Sequence, residues 1–369
     1  MSKLDELIQE LCPDGVEFTL LKNVAEIGTG SSNGNEAVDE GAFPFFIRSQ
    51  TVKAKNEWEY DEEAIIIPGE GGIGDIFHYV NGKYALHQRV YRIHFLTEKI
   101  NVKFAYYCMT ANFKKYITKK AVSATVTSIR KPMIETFAIP VPPLPVQREI
   151  VRILDKFTAL TAELTAELTA RKKQYEYYRN KLLRFDSDAP IYTIGELCTV
   201  VTGGEPPADC IKGDVSDSTH PYPVWGNGKE VYGYSGACKI DRDAVVISSI
   251  GANTGAVYYR KAFFTPIIRL KVVMPNDDKL NARFLFHALS ATEIKSKSSS
   301  VPNMNANEIK AIKIPVPSID VQKRIVNVLD NFDAICSDLK IGLPAEIETR
   351  KKQYEFYREK LLAFHEISN

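Results

Sequence analysis

The sequence predicts an α+β fold that arose by tandem duplication, with two β-rich domains and two long helical segments in alternation. Residues 171–183 return as residues 350–362 with only two differences. Before each copy lies a stretch of short apolar runs separated by turn residues, which is typical of β-strands. A repeat of this kind indicates one scaffold used twice, so the two β-rich domains are expected to present different surfaces on the same framework.

The elements of each half follow from local pattern. A helix is predicted over residues 2–11, because Leu4, Leu7, Ile8 and Leu11 share one face, and Ser2 and Asp5 suit its N-terminal end. Strands are predicted at 43–47, 64–67, 76–80 and 90–95, followed by a helix at 101–118. The second half repeats this order, with strands at 222–225, 244–250, 256–260 and 267–273 and a helix at 281–295.

Both joining blocks are predicted to be helical. They open with the same Ile-Pro-Val-Pro sequence, at 139–142 and at 314–317, and keep register as far as Asp155 and Asp330. The first helix is predicted from Pro145 to Phe185, about 60 Å in length. Gly342, Leu343 and Pro344 should divide the second block into two helices.

Apolar and aromatic side chains recur at seven-residue spacing along both blocks, which is typical of helices that pack on one another. The predicted packing residues are Phe157, Leu164, Leu168, Tyr175, Tyr178, Leu182, Phe332, Tyr354, Tyr357 and Leu361. The segment 171–183 is rich in Arg, Lys and Tyr and could instead touch nucleic acid. Helix packing is favoured, because aromatic residues at helical spacing usually belong to a core.

Composition excludes several classes of protein. Lys plus Arg number 47 against 46 acids, which rules out a long basic tail but leaves room for a local basic face. None of the six cysteines forms a Cys-x-x-Cys pair, so neither a zinc ribbon nor a disulfide framework is indicated. No signal peptide or membrane-spanning run is evident, and a cytoplasmic location is expected.

The two glycine-rich loops are the candidate functional segments. Residues 69–74 match the dinucleotide glycine pattern, but a strand is expected after them, and without a helix N-terminus the pyrophosphate has no site. Residues 248–255 occupy the corresponding place in the second half. Either loop could enter a DNA groove, where glycine allows close backbone approach, or could simply be a solvated turn.

Polar residues in and near these loops have the donors that read base edges and contact phosphates. The candidate DNA-binding residues are Gly71, Gly72, His78, Lys83, His87, Gln88, Arg89, Arg130, Asn227, Lys229, Asn253, Thr254, Tyr258, Arg260, Lys261, Asn303 and Asn305. Any single one of them could equally be an ordinary surface residue.

No catalytic centre is predicted. The histidines form no His-x-x-x-His pair, and no Ser/His/Asp set or P-loop spacing is present. Glu308, Ile309 and Lys310 match a nuclease-like Glu-x-Lys, but such triplets are common and no acidic partner is placed for this one. A stand-alone DNA-modifying enzyme or nuclease remains the alternative interpretation, and a coiled-coil interaction protein is a third.

Two β-rich halves, each followed by a helix that ends in Arg-Lys-Lys-Gln-Tyr-Glu-(Tyr/Phe)-Tyr-Arg-x-Lys-Leu-Leu, resemble the specificity subunit of a type I restriction–modification enzyme. Thr-Ala-Glu-Leu occurs twice in succession at 161–168, and this pair, together with residues 342–348, resembles the subgroup with such repeats in its spacer helix. The resemblance covers essentially the whole chain and is strongest in the helical blocks.

The resemblance implies two target-recognition domains separated by two long antiparallel helices, related by a pseudo-twofold axis. On this basis residues 1–142 hold the N-terminal helix and first recognition domain, 143–187 the spacer helix, 188–317 the second recognition domain and 318–369 the C-terminal helical region. Each recognition domain would read one half of a bipartite, asymmetric site in double-stranded DNA. Two modification subunits would dock on the helices and methylate adenine, and restriction subunits would cleave. S-adenosylmethionine, ATP and Mg²⁺ are then expected on these partners, with no metal or cofactor on this chain.

Overall fold

A computed structural model describes residues 2–120, 128–185, 189–251, 253–276, 278–292, 304–337 and 341–367. The chain mixes helix and sheet, at 40% and 26% of its residues, and carries a long central helix, which confirms the α+β prediction. It divides into two compact units. Unit 1 comprises residues 1–164 and 347–369, and unit 2 comprises residues 165–346.

Unit 1 opens with the predicted N-terminal helix, in which Ser2 and Asp5 form a reciprocal capping box. Its helices are α1 (Lys3–Leu11), α2 (Val102–Lys120) and α3 (Lys131–Glu135). Its strands are β1 (Phe18–Leu20), β2 (Ala25–Thr29), β3 (Phe43–Phe46), β4 (Lys53–Lys55), β5 (Tyr60–Pro68), β6 (His78–Leu86), β7 (Val90–Phe95) and β8 (Ala138–Pro140). The long helix α4 (Leu144–Leu182) then crosses into unit 2.

Unit 2 repeats this order of elements. Its strands are β9 (Ile191–Thr193), β10 (Cys198–Thr202), β11 (Ile211–Lys212), β12 (Tyr222–Trp225), β13 (Gly233–Ser235), β14 (Ala244–Ile247), β15 (Val257–Arg260), β16 (Thr265–Pro266), β17 (Lys271–Pro275) and β18 (Lys313–Pro315). Its helices are α5 (Ile194–Leu197), α6 (Ala282–Ala291), α7 (Ala306–Lys310) and α8 (Ile319–Ser337). Helix α9 (Leu343–Leu361) crosses back into unit 1.

The sheets of the two units share one topology. Unit 1 has a six-stranded sheet in the order β2-β7-β5-β6-β3-β4, in which only the β3–β6 pair is parallel. Unit 2 splits the same arrangement into the sheets β10-β17-β14-β15 and β11-β13-β12-β16, with β12 and β16 parallel. The duplication read from the helical repeats therefore extends through the β-rich halves, where few residue identities survive.

A two-stranded ribbon closes each β-rich half. β1 pairs antiparallel with β8, joining Phe18 to Pro140, and β9 pairs antiparallel with β18, joining Ile191 to Pro315. The first and last residues of each half therefore lie side by side. The core of each unit forms between the sheet and the helix after it, and it contains Phe104, Phe113, Ile65 and Ile93 in unit 1 and Phe284, Leu285, Val245 and Val273 in unit 2.

A buried glutamine attaches each β-rich half to its helical block. The Gln147 side-chain oxygen accepts a hydrogen bond from the Asn101 amide (2.8 Å), and its Nε2 donates to the Lys99 and Pro142 carbonyls (2.8 and 2.6 Å). Gln322 makes the same three bonds in unit 2, with the Asn281 amide and the carbonyls of Lys279 and Pro317 (2.9, 2.8 and 2.8 Å).

An aspartate two turns further on makes the second attachment, but with different partners. Asp155 accepts from Lys103 Nζ (2.8 Å) and from the Tyr107 hydroxyl (2.6 Å). Its counterpart Asp330 pairs with Arg283 Nε and with His287 Nε2, each at 2.7 Å. Burial holds the pKa of His287 below its usual range despite the nearby carboxylate. The framework is conserved between halves in its geometry while its side-chain chemistry has diverged.

The predicted packing positions make aromatic contacts within each unit. Phe157 stacks on Tyr357 in unit 1 (5.4 Å between ring centroids), and in unit 2 Phe332 stacks on Tyr178 (5.6 Å) and contacts Tyr175 (6.3 Å). Leu164 is buried, whereas Leu168, Leu182, Tyr354 and Leu361 are half-buried. The antiparallel and pseudo-twofold arrangement remains a prediction.

Several predicted element boundaries are wrong. Residues 76 and 77 belong to the loop, and β6 starts at His78. The segment 267–273 is not a single strand, because Ile268 and Arg269 form a tight turn before β17. β14 ends at Ile247 instead of residue 250, β15 starts at Val257, and α4 stops at Leu182. Helix α6 ends at Ala291, and residues 293–295 of its predicted span lie outside the described residues.

Candidate nucleic-acid interface

The glycine-rich loop of unit 1 joins β5 to its antiparallel neighbour β6 and contains no helix, so the structure offers no pyrophosphate site of the dinucleotide type. Gly71, Gly72 and Gly74 have φ angles of 73°, 56° and 70°, which side chains other than glycine rarely adopt. A Cβ on Gly72 would lie 2.5 Å from the end of the Ile76 side chain, which would have to shift to make room for it.

Glu70 of this loop is held by two arginines from two other loops. Arg89 Nη1 donates to both carboxylate oxygens (3.0 and 2.9 Å), and Arg48 Nη1 donates to one (3.0 Å). These hydrogen bonds, with that from Arg89 the strongest, hold the pKa of Glu70 below its usual range. Next to Arg89, Gln88 donates to the Asn33 side chain (2.7 Å).

Four loops converge on one cleft of about 290 Å³, lined by Gly34, Ile47, Arg48, Glu70, Gly71 and His87. The predicted residues Gly71, Gly72, His87, Gln88 and Arg89 are thus brought together at one end of the sheet. We call this group, with Arg48 and Glu70, the unit 1 loop cluster. It combines exposed guanidinium and amide donors, which is the chemistry of base and phosphate contact.

Both predicted histidines of unit 1 are largely buried. His78 Nε2 lies 3.1 Å from the Ser49 carbonyl and its ring packs against Phe46, while His87 Nδ1 accepts from the Arg89 amide (3.0 Å). Burial lowers the pKa of each ring below the usual histidine value. Both rings contact the backbone of neighbouring loops, so we assign them a structural role in the cluster.

The remaining candidates of unit 1 have separate surroundings. Lys83 is exposed, and its Nζ lies 4.6 Å from the ring centroid of the half-exposed Trp58. Arg130 is exposed at the N-cap of α3, directly after Ile129, whose amide donates to the Gly69 carbonyl (2.7 Å). Arg130 therefore lies beside the glycine-rich loop, whereas Lys83 pairs with Asp61 near the opposite end of β5.

In unit 2 the side chain of the predicted Asn227 is hydrogen-bonded to neighbouring loop residues. Its Nδ2 donates to the Ile268 carbonyl, and its Oδ1 accepts from the Ser249 amide (2.8 Å) and the Ser248 hydroxyl (3.3 Å). Ser249 Oγ in turn donates to the Arg269 carbonyl (2.7 Å). Asn227 thus ties the second glycine-containing loop to the turn at 268 and 269.

That turn is strained. Ile268 and Arg269 have φ angles of 51° and 58°, which cost about 1–3 kcal/mol for each residue other than glycine. Their amides donate to the carbonyls of Gly204 and Gly203 (2.8 and 3.1 Å), and the Leu270 amide closes the turn on the Ile267 carbonyl (3.1 Å). Surrounding hydrogen bonds therefore stabilise a backbone conformation that is unfavourable for isoleucine and arginine on their own.

Arg260 lies over an aromatic ring. Its guanidinium carbon is 3.6 Å from the Trp225 ring centroid and 5.0 Å from that of Tyr258, and Nη2 donates to the Lys229 carbonyl (3.2 Å). Desolvation lowers the pKa of Arg260 to about 10. Neighbouring Lys261 is exposed and bonds Asp243 (3.2 Å).

The other candidates of unit 2 lie in loops or at a helix end. Lys229 and Asn253 are exposed, and Thr254 donates to the Gly251 carbonyl (2.7 Å). Asn305 caps α7 by accepting from the Glu308 amide (2.9 Å). Asn303 lies outside the described residues.

Sequence reasoning missed Arg48, Glu70, Trp225 and Arg269. Arg269 could have been found by alignment of the two halves, since it precedes β17 as Arg89 precedes the equivalent strand β7. No sequence pattern predicted the ion pair between Arg48 and Glu70, because the two residues belong to separate loops that meet only in the folded chain. Among the described residues, no group of three His, Cys, Asp or Glu side chains could hold a metal ion.

None of the described helices is both long and apolar enough to span a membrane.

A family model described as type I restriction modification DNA specificity domain matches residues 13–171 and again residues 187–349. The chain belongs to this family. Its two matches coincide with the two halves of the duplication. This membership favours a DNA-recognition subunit, which is non-catalytic by itself, over the stand-alone enzyme or nuclease kept as the alternative.

Relatives agree with this assignment. A Mycoplasma pneumoniae protein named as the type I specificity subunit S.MpnORF89P is 32% identical over 320 residues, covering 82% of this chain and 93% of its own. The EcoR124I/EcoR124II specificity subunit of Escherichia coli is 37% identical over 244 residues, 60% of each chain.

The crystal structure of a type I S subunit from M. genitalium shares the fold, with a TM-score of 0.67 at 18% identity over 94% of this chain and 96% of that one. A chain from a structure titled for complex assembly and conformational transition of the type I system gives a TM-score of 0.57 at 15% identity, covering 95% of this chain and 98% of that one.

Proposed function

We propose that this chain is the sequence-reading subunit of a type I restriction–modification complex and that each unit reads one half of a bipartite, asymmetric site in double-stranded DNA. The observation that carries the proposal is the contrast between framework and loops. Gln147 and Gln322 make the same three hydrogen bonds, while the loops that the two frameworks present differ in charge, contacts and conformation. Two different surfaces on one repeated framework suit two different half-sites.

The duplication also supports a defined set of partners. Two modification subunits would dock on the repeated helical segments, one for each copy, and methylate an adenine after extruding it from the stack. These subunits would supply S-adenosylmethionine, and restriction subunits would supply ATP-driven translocation and Mg²⁺-dependent cleavage. This chain would contribute no cofactor or metal of its own, and the complex would act in the cytoplasm.

Helix α4 would set the distance between the half-sites. Its two Thr-Ala-Glu-Leu units at 161–168 lie at the boundary between the two units, inside a continuous helix of 39 residues. This arrangement supports the subgroup in which such repeats form an adjustable spacer. Thr161 bonds the Phe157 carbonyl within α4 itself (2.9 Å), and the unit 1 loop cluster is built from other residues, so the length of this segment would change without altering that cluster.

The test is co-expression with modification subunits of a relative, followed by mapping of methylated adenines across the host genome. A bipartite motif with a fixed gap is expected, and exchange of residues 19–138 for the equivalent domain of a relative should alter one half of it only. A change in both halves would contradict modular reading.

The pure chain alone should leave DNA unmethylated in the presence of S-adenosylmethionine, and uncut in the presence of Mg²⁺ and ATP. Activity that survives rigorous purification would contradict the subunit assignment.

A further inference from the structure

The turn formed by Ile268 and Arg269 is the feature of unit 2 that structural requirements explain least. Two consecutive residues other than glycine occupy the left-handed region, and one of them is β-branched. Both of their amides and both of their carbonyls are hydrogen-bonded, to Gly203, Gly204, Asn227 and Ser249. Glycine would adopt either φ angle without this strain, so backbone preference does not explain why Ile268 and Arg269 stand here.

The Arg269 side chain is exposed, and none of the described residues forms an ion pair or a hydrogen bond with its guanidinium. Arg89, in the equivalent turn of unit 1, is instead neutralised by Glu70. The backbone register explains the difference. The Gly69 carbonyl accepts a hydrogen bond from the Ile129 amide in unit 1, and the Ser249 carbonyl accepts the equivalent bond from the Met304 amide in unit 2. Gly69 and Ser249 are therefore equivalent positions, and the residue that follows is Glu70 in unit 1 and Ile250 in unit 2.

We propose that Arg269 is a specificity-determining residue that reads a guanine in the half-site of unit 2. The proposal rests on the proposed function and adds to it the base that one residue recognises. A guanidinium presents two parallel donors that match the O6 and N7 acceptors of guanine in the major groove. Ile268, 42% exposed beside it, offers an apolar surface to the neighbouring base edge.

Base reading explains the locked turn better than phosphate contact does. A phosphate is reached by a flexible cation from many directions, and exposed lysines such as Lys229 and Lys261 suffice for that purpose. A bidentate contact with a base edge requires a side chain whose starting point and direction are fixed. Hydrogen bonds to four neighbouring residues provide such a fixed starting point for Arg269.

The experiment uses the complex of the full chain with its modification subunits on a library of duplexes randomised in the half-sites. Arg269→Gln retains a planar hydrogen-bonding side chain but loses the guanine-matching fork. We expect the wild-type motif to contain a guanine that the variant no longer prefers over other bases, with a loss of discrimination of about 5- to 150-fold at that position. The other half-site and the melting temperature of the complex should stay unchanged.

Two further variants complete the test. Arg242→Ala removes an equal charge from an exposed residue at the opposite end of β14, so its motif should equal that of wild type. Ile250→Glu places an acid where unit 1 carries Glu70, and it should weaken reading at the same base as Arg269→Gln. If Arg269→Gln instead lowers affinity equally for all sequences and reduces the salt slope by about one, Arg269 contacts a phosphate and the proposal is overturned.

An unchanged motif in Arg269→Gln would also overturn it. Failure of the proposed function would look different, because the wild-type complex itself would then show no sequence preference in the same library.

Discussion

Insertion of a third Thr-Ala-Glu-Leu unit after Leu168 should lengthen the gap in the recognised DNA site by one base pair. The insertion falls inside α4, a continuous helix, just past the point at which the chain passes from unit 1 to unit 2. Four residues add about 6 Å of helix and rotate everything that follows by about 40°. Leucine repeats at the fourth position, so the half-buried face of the helix keeps its apolar character.

The rotation decides the size of the expected step. One base pair advances about 3.4 Å and turns roughly 35°, so a gain of one pair leaves an angular error of about 5° and an axial error of about 2.6 Å. A gain of two pairs would leave about 30°, which moves a group roughly 10 Å from the axis by about 5 Å. The single step is therefore favoured, and helix or DNA bending absorbs the smaller axial error.

The assay is the methylated motif of the insertion variant, mapped beside that of wild type in the same host. Both half-sites should be retained and the gap should grow by one. A two-residue insertion at the same place serves as the matched control, because it rotates the distal segment by about 200° and should abolish recognition or assembly. An unchanged gap, or a new gap accompanied by new half-site bases, would refute the proposal that α4 sets the spacing.

Three other perturbations test individual contacts. Glu70→Gln should release Arg48 and Arg89 for phosphate contact, which should tighten non-specific duplex binding and steepen its salt dependence by the equivalent of up to about two phosphate contacts. Glu40→Gln, at an exposed site, should leave both the binding and its salt dependence unchanged. Gln147→Leu leaves one buried and two part-buried backbone groups without partners and should lower the free energy of unfolding by about 3 kcal/mol in urea titrations, in contrast to Gln174→Leu on the exposed face of α4. Burial lowers the folded-state pKa of His287, so the stability that the neutral ring contributes is complete above pH 6.5, the pKa of the unfolded state, and is lost as the pH falls below that value. His287→Gln should therefore narrow the difference in melting temperature between pH 7.5 and pH 5.5. If that difference is unchanged in the variant, His287 is not the source of the pH dependence.

The helices were largely predictable because their signals are local. Proline and glycine mark the start of α4 and the break before α9, and the capping box of α1 can be read from Ser2 and Asp5. The register between the two blocks correctly paired Asp155 with Asp330. What the sequence could not supply was the partner of each carboxylate, since Tyr107 and His287 reach them from another helix.

The turn before β17 shows why the candidate site was less predictable than the fold. The sequence of residues 267–273 predicts one strand, and hydrogen bonds with Gly203, Gly204, Asn227 and Ser249 hold a turn there instead. His78 and His87 were predicted to be exposed to DNA but are buried, because the sequence alone does not show which face of the sheet a polar residue in or next to a strand occupies. Tertiary contacts, and not propensity, decide both outcomes.

The ribbons β1–β8 and β9–β18 have a consequence for how such genes diversify. Since the chain enters and leaves each β-rich half through strands bonded to one another, a foreign segment has to match only the three residue pairs of that ribbon, together with its glutamine and aspartate attachments, to be accommodated. A single recombination tract bounded by these strands can therefore deliver a working new target preference in one event.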